Sequence, residues 1–385
     1  MSDNSIVLVT GSAGHLGKAL MLALPELGYT PIGIDINRSP TTTHRGSITD
    51  TAFVASVFDA HKPAHVIHAA TLHKPHVQTH SQNDFVQTNI AGTVALLEAA
   101  AAAKVQSFVF VSTTSAFGSA LAPPPGQPAA WIDETVRPVP KNIYGVTKAA
   151  AEDVCQLAAA AQGKRGGGSS SSSSSGGGGG GVPVIVLRTS RFFPEEDDDE
   201  ARRGEVADGD NLKVLELACR RVDIADVVTA CVCAMRRAAA REITWGCYII
   251  SAPTPFASSS SSAVGSGDGG GNSGTEEEKE EREEILKGLD RDPAAVYEKA
   301  VPGVRDVFAK KGWRFLSRVD RVYDSSRAVR ELGWQPVYTF QRAVEKVARG
   351  EEWRSELALK VGKLGYHAVP TGVYTTQERE QQGNE

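Results

Sequence analysis

The stretch that decides the fold is Thr10-Gly11-Ser12-Ala13-Gly14-His15-Leu16-Gly17. It follows the apolar run Ile6-Val7-Leu8-Val9 and opens directly into the helix-forming residues Lys18-Ala19-Leu20. Glycines at 11, 14 and 17 permit a tight turn, close backbone approach to a pyrophosphate, and close packing of helix on strand. The unsatisfied N–H groups around Gly14, His15, Leu16 and Gly17, with the positive end of the helix dipole, suit a phosphate. Three glycines alone are a weak signal. Their place between a first strand and a helix, with Asp35 closing the next apolar run about 20 residues on, makes them a dinucleotide fingerprint. Asp35 accepts hydrogen bonds from an adenosine ribose and repels a 2′-phosphate, which favours NAD, while Arg38 nearby leaves NADP open.

Outward from this loop, β-branched runs alternate with longer helical ones. The runs 6–10, 31–35, 65–70, 108–112, 184–188 and 247–251 read as strands, apolar on both faces as in a sheet covered on both sides. Helices are expected at Leu16–Leu27, Thr51–Ala60, Phe85–Ala103, Ile143–Ala161 and Ile224–Arg237. The alternation predicts an α/β fold, a Rossmann-type doubly wound parallel sheet with a smaller C-terminal substrate domain. Residues 1–190 form the NAD(P)-binding domain, to which 220–252 returns; 191–219 and 253–370 form the substrate-binding part. Two Gly/Ser tracts, 163–181 and 257–274, cannot bury a core and read as flexible insertions, the first on the rim opposite the ligand; residues 371–385 read as a disordered tail.

Residues 142–148 read Asn-Ile-Tyr-Gly-Val-Thr-Lys. Tyr144 and Lys148, four apart, leave one helix face together. A free tyrosine is a poor base at neutral pH, and an adjacent ammonium stabilises its phenolate. Such a tyrosine takes a proton from a substrate hydroxyl as hydride leaves the same carbon, while Lys148 holds the nicotinamide ribose. Upstream, Ser112-Thr113-Thr114-Ser115 ends a strand at the ligand rim, where a hydroxyl orients the substrate oxygen.

With these motifs in place, the chain resembles the extended short-chain dehydrogenase/reductase family, the NAD-dependent epimerase/dehydratase group. The resemblance rests on TGSAGHLG, GID, VIHAAT, NIAGTVALLEAA, FVFVSTTSAFG, YGVTK, VIVLRTSRFF, RRVDIADVV and DSSRAVRELGWQP. It implies Thr113 as the catalytic hydroxyl, Tyr144 as acid/base and Lys148 as its partner. It further implies Asn89 as support for that site, His68-Ala69-Ala70 as the strand end passing the cofactor, and Ser47-Ile48 beside the adenine. The chain departs from the pattern where Ser47 replaces the usual Asp and where Arg191 stands in place of the usual Asn after Leu187-Arg188. Arginine suits a phosphate or carboxylate, so Thr114, Arg191 and Phe192 are the expected substrate contacts. Arg220 or Arg221 lies near the place of a diphosphate-binding arginine.

Composition narrows the classes. Hydrophobic residues make up 41% and charged residues 23% of 385, ordinary globular usage. Net charge is −5 with no basic cluster, which argues against a nucleic-acid partner. No uncharged run approaches the roughly 20 residues of a membrane span, and no leader is evident, so a cytoplasmic protein without a membrane partner is expected. Five cysteines without a CxxC pair read as buried free thiols. His73, His76 and His80 lack a convincing complement of further ligands, so no metal is expected; they read as a loop, beside the substrate or plain surface. The acidic run Glu195–Glu200 reads as a solvated loop, and Trp313, Trp334 and Trp353 as core anchors. The expected function is NAD-dependent epimerisation or dehydration of a small-molecule substrate, a nucleotide sugar. Net oxidation of an alcohol and a non-catalytic nucleotide sensor are the alternatives. The family resemblance adds a homodimer through paired helices.

Overall fold

The computed structural model describes residues 4–121, 123–161, 181–193, 200–257 and 275–364. The two Gly/Ser tracts for nearly all their length, residues 195–199 of the acidic run, and the tail lie outside these.

Among the described residues, eleven strands fall into three sheets. The main sheet holds β1 (Ile6–Thr10), β2 (Thr30–Asp35), β3 (His44–Arg45), β4 (His65–His68), β5 (Ser107–Thr113), β7 (Val184–Thr189) and β10 (Trp245–Ile250). Their order is β10-β7-β5-β4-β1-β2-β3, and every pairing is parallel. The order in which successive strands are added therefore reverses between β1 and β4, the place where such sheets open a crevice at the carboxyl ends of their strands. The register sets Thr10 level with His68, and Thr113 level with Thr189, along that rim. Strand β6 (Ala130–Ile132) pairs with β11 (Arg321–Tyr323), and β8 (Arg191–Phe192) with β9 (Arg221–Val222), beyond the rim.

Alternation along the strands divides the core. Val7, Val9, Ile67, Val109, Ile185 and Leu187 face one side, packed with helices His15–Ala23 and Ile224–Ala239. Leu8, Val66, Phe108, Phe110, Val184 and Val186 face the other, against helices Thr51–His61, Gly92–Ala102 and Ile143–Ala160. Both faces are apolar because both are covered.

Some element boundaries differ from the sequence expectations for local reasons. The first helix stops at Ala23, and Pro25–Leu27 continues as a 3₁₀ turn, because Pro25 has no N–H for the α ladder. β3 was not foreseen, being only two residues long. The helical stretch Gln82–Ala102 is long and apolar enough to cross a bilayer by length and composition, although Asp84 and Glu98 interrupt it. It lies on the sheet, with Phe85, Leu96 and Ala100 buried. Trp334 is fully buried and donates Nε1–H to the Asp226 carbonyl. Cys155, Cys219, Cys231, Cys233 and Cys247 are free thiols, and burial pushes those of Cys219, Cys231 and Cys247 up to about 12.

Candidate active site

A cavity of about 550 Å³ opens over the glycine loop. Gly11 sits at φ +73°, and its N–H donates to the Ile34 carbonyl at 2.9 Å. A Cβ on Gly17 would lie 1.9 Å from the Gly11 carbonyl oxygen, so only glycine lets the helix approach the strand this closely. Gly11, Gly14, His15, Leu16 and Gly17 all line the cavity. Asp35 also lines it, its carboxylate accepting from the Ala13 N–H at 3.0 Å and the Asn37 N–H at 2.8 Å. Arg38 is exposed and is not among the lining residues. Ser47, Ile48, Ala69 and Ala70 complete this end. An extended slot with a glycine turn, a helix start and a carboxylate fits a dinucleotide.

His68 does not line the cavity; it braces the wall from behind. Its Nδ1 lies 2.7 Å from Thr10 Oγ1, which accepts the N–H groups of Ala69 and Ala70 at 3.1 and 3.0 Å. Its Nε2 lies 3.0 Å from Thr93 Oγ1, whose own hydrogen is donated to the Asn89 carbonyl. His68 therefore donates from Nε2 and accepts at Nδ1. Burial, and then the charge of Lys148, hold its imidazole well below the usual range, so it stays neutral.

At the reacting end, Thr113 closes β5, and its Oγ1 accepts from the Ser115 N–H at 3.1 Å. Asn142 caps helix Ile143–Ala160 by accepting from the Gly145 N–H at 3.0 Å. A Cβ on Gly145 would lie 3.0 Å from the Ser115 carbonyl, and one on Gly118, at φ +51°, only 2.1 Å from that of Val139. These contacts draw the helix start against the end of β5. Thr113, Thr114 and Tyr144 consequently line one wall.

Lys148 departs from the sequence expectation. It is not among the lining residues and is almost wholly buried. Its Nζ donates to the Val111 carbonyl at 2.7 Å and lies 3.9 Å from the centre of the Phe110 ring. Burial brings its pKa down to about 7 against the opposing pull of Glu152. The helix continues the i, i+4 spacing to Glu152, which receives a forked bond from Arg188 at 2.7–3.2 Å and the Ser112 hydroxyl. That third member was missed in the sequence, although Tyr144, Lys148 and Glu152 are evenly spaced. Asn89 also stands behind the wall, in the π-helical turn Val86–Ala91. Its Oδ1 accepts from Leu72 N–H and Thr71 Oγ1, and its Nδ2 donates to Leu72 O and Thr147 Oγ1. It thereby ties the loop after β4 to the Tyr144 helix.

The far end is lined by arginines. Arg191 and Phe192 line it from β8, and Arg220, Arg321 and Tyr323 from segments that sequence motifs did not single out together. Arg202 and Arg220 each pair with both Glu216 and Asp320, Arg221 with Glu216, and Arg321 with Asp320. Asp320 is held below the usual carboxylate range, since burial is outweighed by Arg321, Arg220 and Arg202. His73, His76 and His80 line the loop side, ring centres 4.7 and 4.9 Å apart in succession. Among the described residues, no three His, Cys, Asp or Glu side chains form a metal-ligand group.

A parallel sheet whose strand order reverses at a glycine-turn cavity, with a hydroxyl and a tyrosine lining the same space, defines a Rossmann-type dinucleotide-binding fold. The model of the NAD dependent epimerase/dehydratase family matches residues 7–244, and the chain belongs to that family, with NAD as its cofactor. Among curated relatives, a UDP-glucose 4-epimerase of Rhizobium leguminosarum bv. trifolii is 36% identical over 156 residues, 38% of this chain and 45% of the relative. A human dTDP-D-glucose 4,6-dehydratase is 31% identical over 168 residues, 38% of this chain and 44% of the relative. The match thus spans less than half the length of either. In fold, the chain is similar to the UDP-glucose 4-epimerase of Thermotoga maritima solved with UDP-glucose (TM-score 0.52, 20% identity, 89% of this chain and 97% of that one). It is equally similar to the WbmG enzyme of Bordetella bronchiseptica solved with NAD (TM-score 0.53, 18% identity, 91% and 94%).

Proposed function

We propose that this cavity epimerises a carbinol carbon of a nucleotide sugar by reversible hydride transfer. The observation that carries the reading is one continuous wall running from the glycine loop, past Thr113 and Tyr144, to the arginines at 191, 220 and 321. Arg191, Arg220 and Arg321, which line that end, are the side chains suited to a diphosphate. NAD, when bound, supplies the hydride acceptor. Thr113, its oxygen already accepting from Ser115 N–H, turns its own hydrogen towards the substrate oxygen. Tyr144 takes the hydroxyl proton as the carbonyl forms and returns it afterwards. Lys148, on the same helix face, supplies the positive charge that favours a phenolate there.

Dehydration needs a further acid and base to expel water. Among the described lining residues Asp35 is the sole carboxylate, and it belongs to the adenosine end. His73, His76 and His80 line the loop side and are the other groups able to serve, so the product distinguishes epimerisation from dehydration. The test is incubation with UDP-glucose in D₂O. Inversion without deuterium entering the inverted carbon, and without accumulation of reduced nicotinamide, is expected. Tyr144→Phe should lower the rate by about 10²–10⁴-fold. Undiminished turnover in that variant would remove Tyr144 as the acid/base, and stoichiometric reduced cofactor would establish net oxidation instead.

A further inference from the structure

The segment from Trp353 to Leu364 lies outside the cavity, yet it is tied to both of the cavity's ends. On the substrate side, Trp353 packs edge-on against Phe193 with ring centres 4.8 Å apart, next to the lining strand β8. Ser355 donates its N–H and hydroxyl to Asp223 at 2.9 and 2.6 Å. Asp223 itself caps helix Ile224–Ala239 and follows β9 directly. Ser355 then caps the short helix Glu356–Val361, which buries Ala358 and Val361.

On the cofactor side, the carbonyl of Val361 accepts from Lys18 Nζ at 2.9 Å, which places a cation at the negative end of that short helix. The N–H of Leu364 donates to His15 Nε2 at 2.9 Å. His15 is the first residue of the helix that the glycine loop opens, and Lys18 lies in its first turn. A ring nitrogen that accepts a backbone N–H carries no proton, so this bond fixes the tautomer as well as the ring's position. None of residues 353–364 lines the cavity.

We propose that residues 353–364 form a latch that holds the start of the dinucleotide-binding helix through His15 and Lys18, so that affinity for NAD depends on a segment that never touches the cofactor. The proposal rests on the dinucleotide assignment of the glycine loop. His15, Lys18 and Leu364 act as positioning residues. The amide groups that receive the cofactor's phosphates belong to the turn that His15 closes, and they bind best when that turn is already held in place. Linkage requires the converse too: NAD must tighten the latch by the factor by which the latch tightens NAD.

The experiment measures NAD binding by calorimetry on the full chain, beside hydrogen exchange in residues 355–364 with and without NAD. Leu364→Pro removes the N–H that His15 accepts, together with a leucine side chain packed at the core's edge, and Lys18→Met removes the second tether alone. Each should weaken NAD roughly three- to tenfold, the range expected for one hydrogen bond. Lys360→Ala, on the exposed side of the short helix, should leave affinity unchanged. Exchange in the segment should slow when NAD is added to the unaltered protein. Should one variant fail to fold, the other decides. Unchanged affinity in a folded latch variant, or exchange in 355–364 that ignores NAD, overturns the latch alone. No binding by the unaltered chain would instead overturn the dinucleotide assignment, and the latch with it.

Discussion

Replacing Lys148 with methionine tests the unusual placement of this residue most directly. Burial lowers its pKa to about 7, against about 10.4 for a lysine in an unfolded chain. Between those values the unfolded chain binds more protons than the folded one, so stability must rise with pH across that window. Linkage puts the cost of retaining the folded lysine at pH 7 at about 4 kcal/mol, a cost that fades towards zero by about pH 10. Methionine fills a similar volume without the charge. It loses the bond to the Val111 carbonyl, and leaving that oxygen unmet costs about 1–3 kcal/mol at either pH. Lys148→Met should therefore be more stable than the unaltered protein by about 1–3 kcal/mol at pH 7, and less stable by a similar amount near pH 10. Urea unfolding of cofactor-free protein, followed by tryptophan fluorescence at the two pH values, reads the difference. A stability difference of the same sign and size at both would refute the account, because it would mean that Lys148 does not titrate differently on folding.

Glu152→Gln leaves Arg188 buried against a neutral partner, and a thermal melt should report a loss of about 3–5 kcal/mol. Arg321→Met should raise the KM for a nucleotide diphosphate sugar about 10- to 100-fold while NAD affinity, measured by calorimetry, stays as it was. Val146 and Leu157 stand exposed on helix Ile143–Ala160, and Val86 on the helical stretch beside it. A homodimer through these helices should show by light scattering, and Leu157→Glu should convert it to monomer.

Much of the architecture was legible because it is written in local patterns. The strand before Gly11, the helix after it and Asp35 are each short-range signals, and both faces of each central strand are apolar because both are covered. The spacing from Tyr144 to Lys148 is equally local. What local pattern does not reveal is where a flexible side chain ends. Lys148 shares a face with Tyr144, yet its Nζ comes to rest on Val111 over the Phe110 ring, a choice set by β5 packing against the helix. Arg321 and Tyr323 reach the cavity only because β11 pairs with β6, across nearly two hundred residues of chain. The contact of Leu364 with His15 spans still more. No spacing rule covers such separations.

The β6–β11 pairing has a kinetic corollary. Loop closure becomes more costly as the intervening chain lengthens, and contacts between distant positions form late. The strands β1 to β5 join through short crossovers and assemble early by the same reasoning. By this reasoning the strands that carry the glycine loop and Asp35 come together before those that bring Arg321 and Tyr323 to the far end of the cavity.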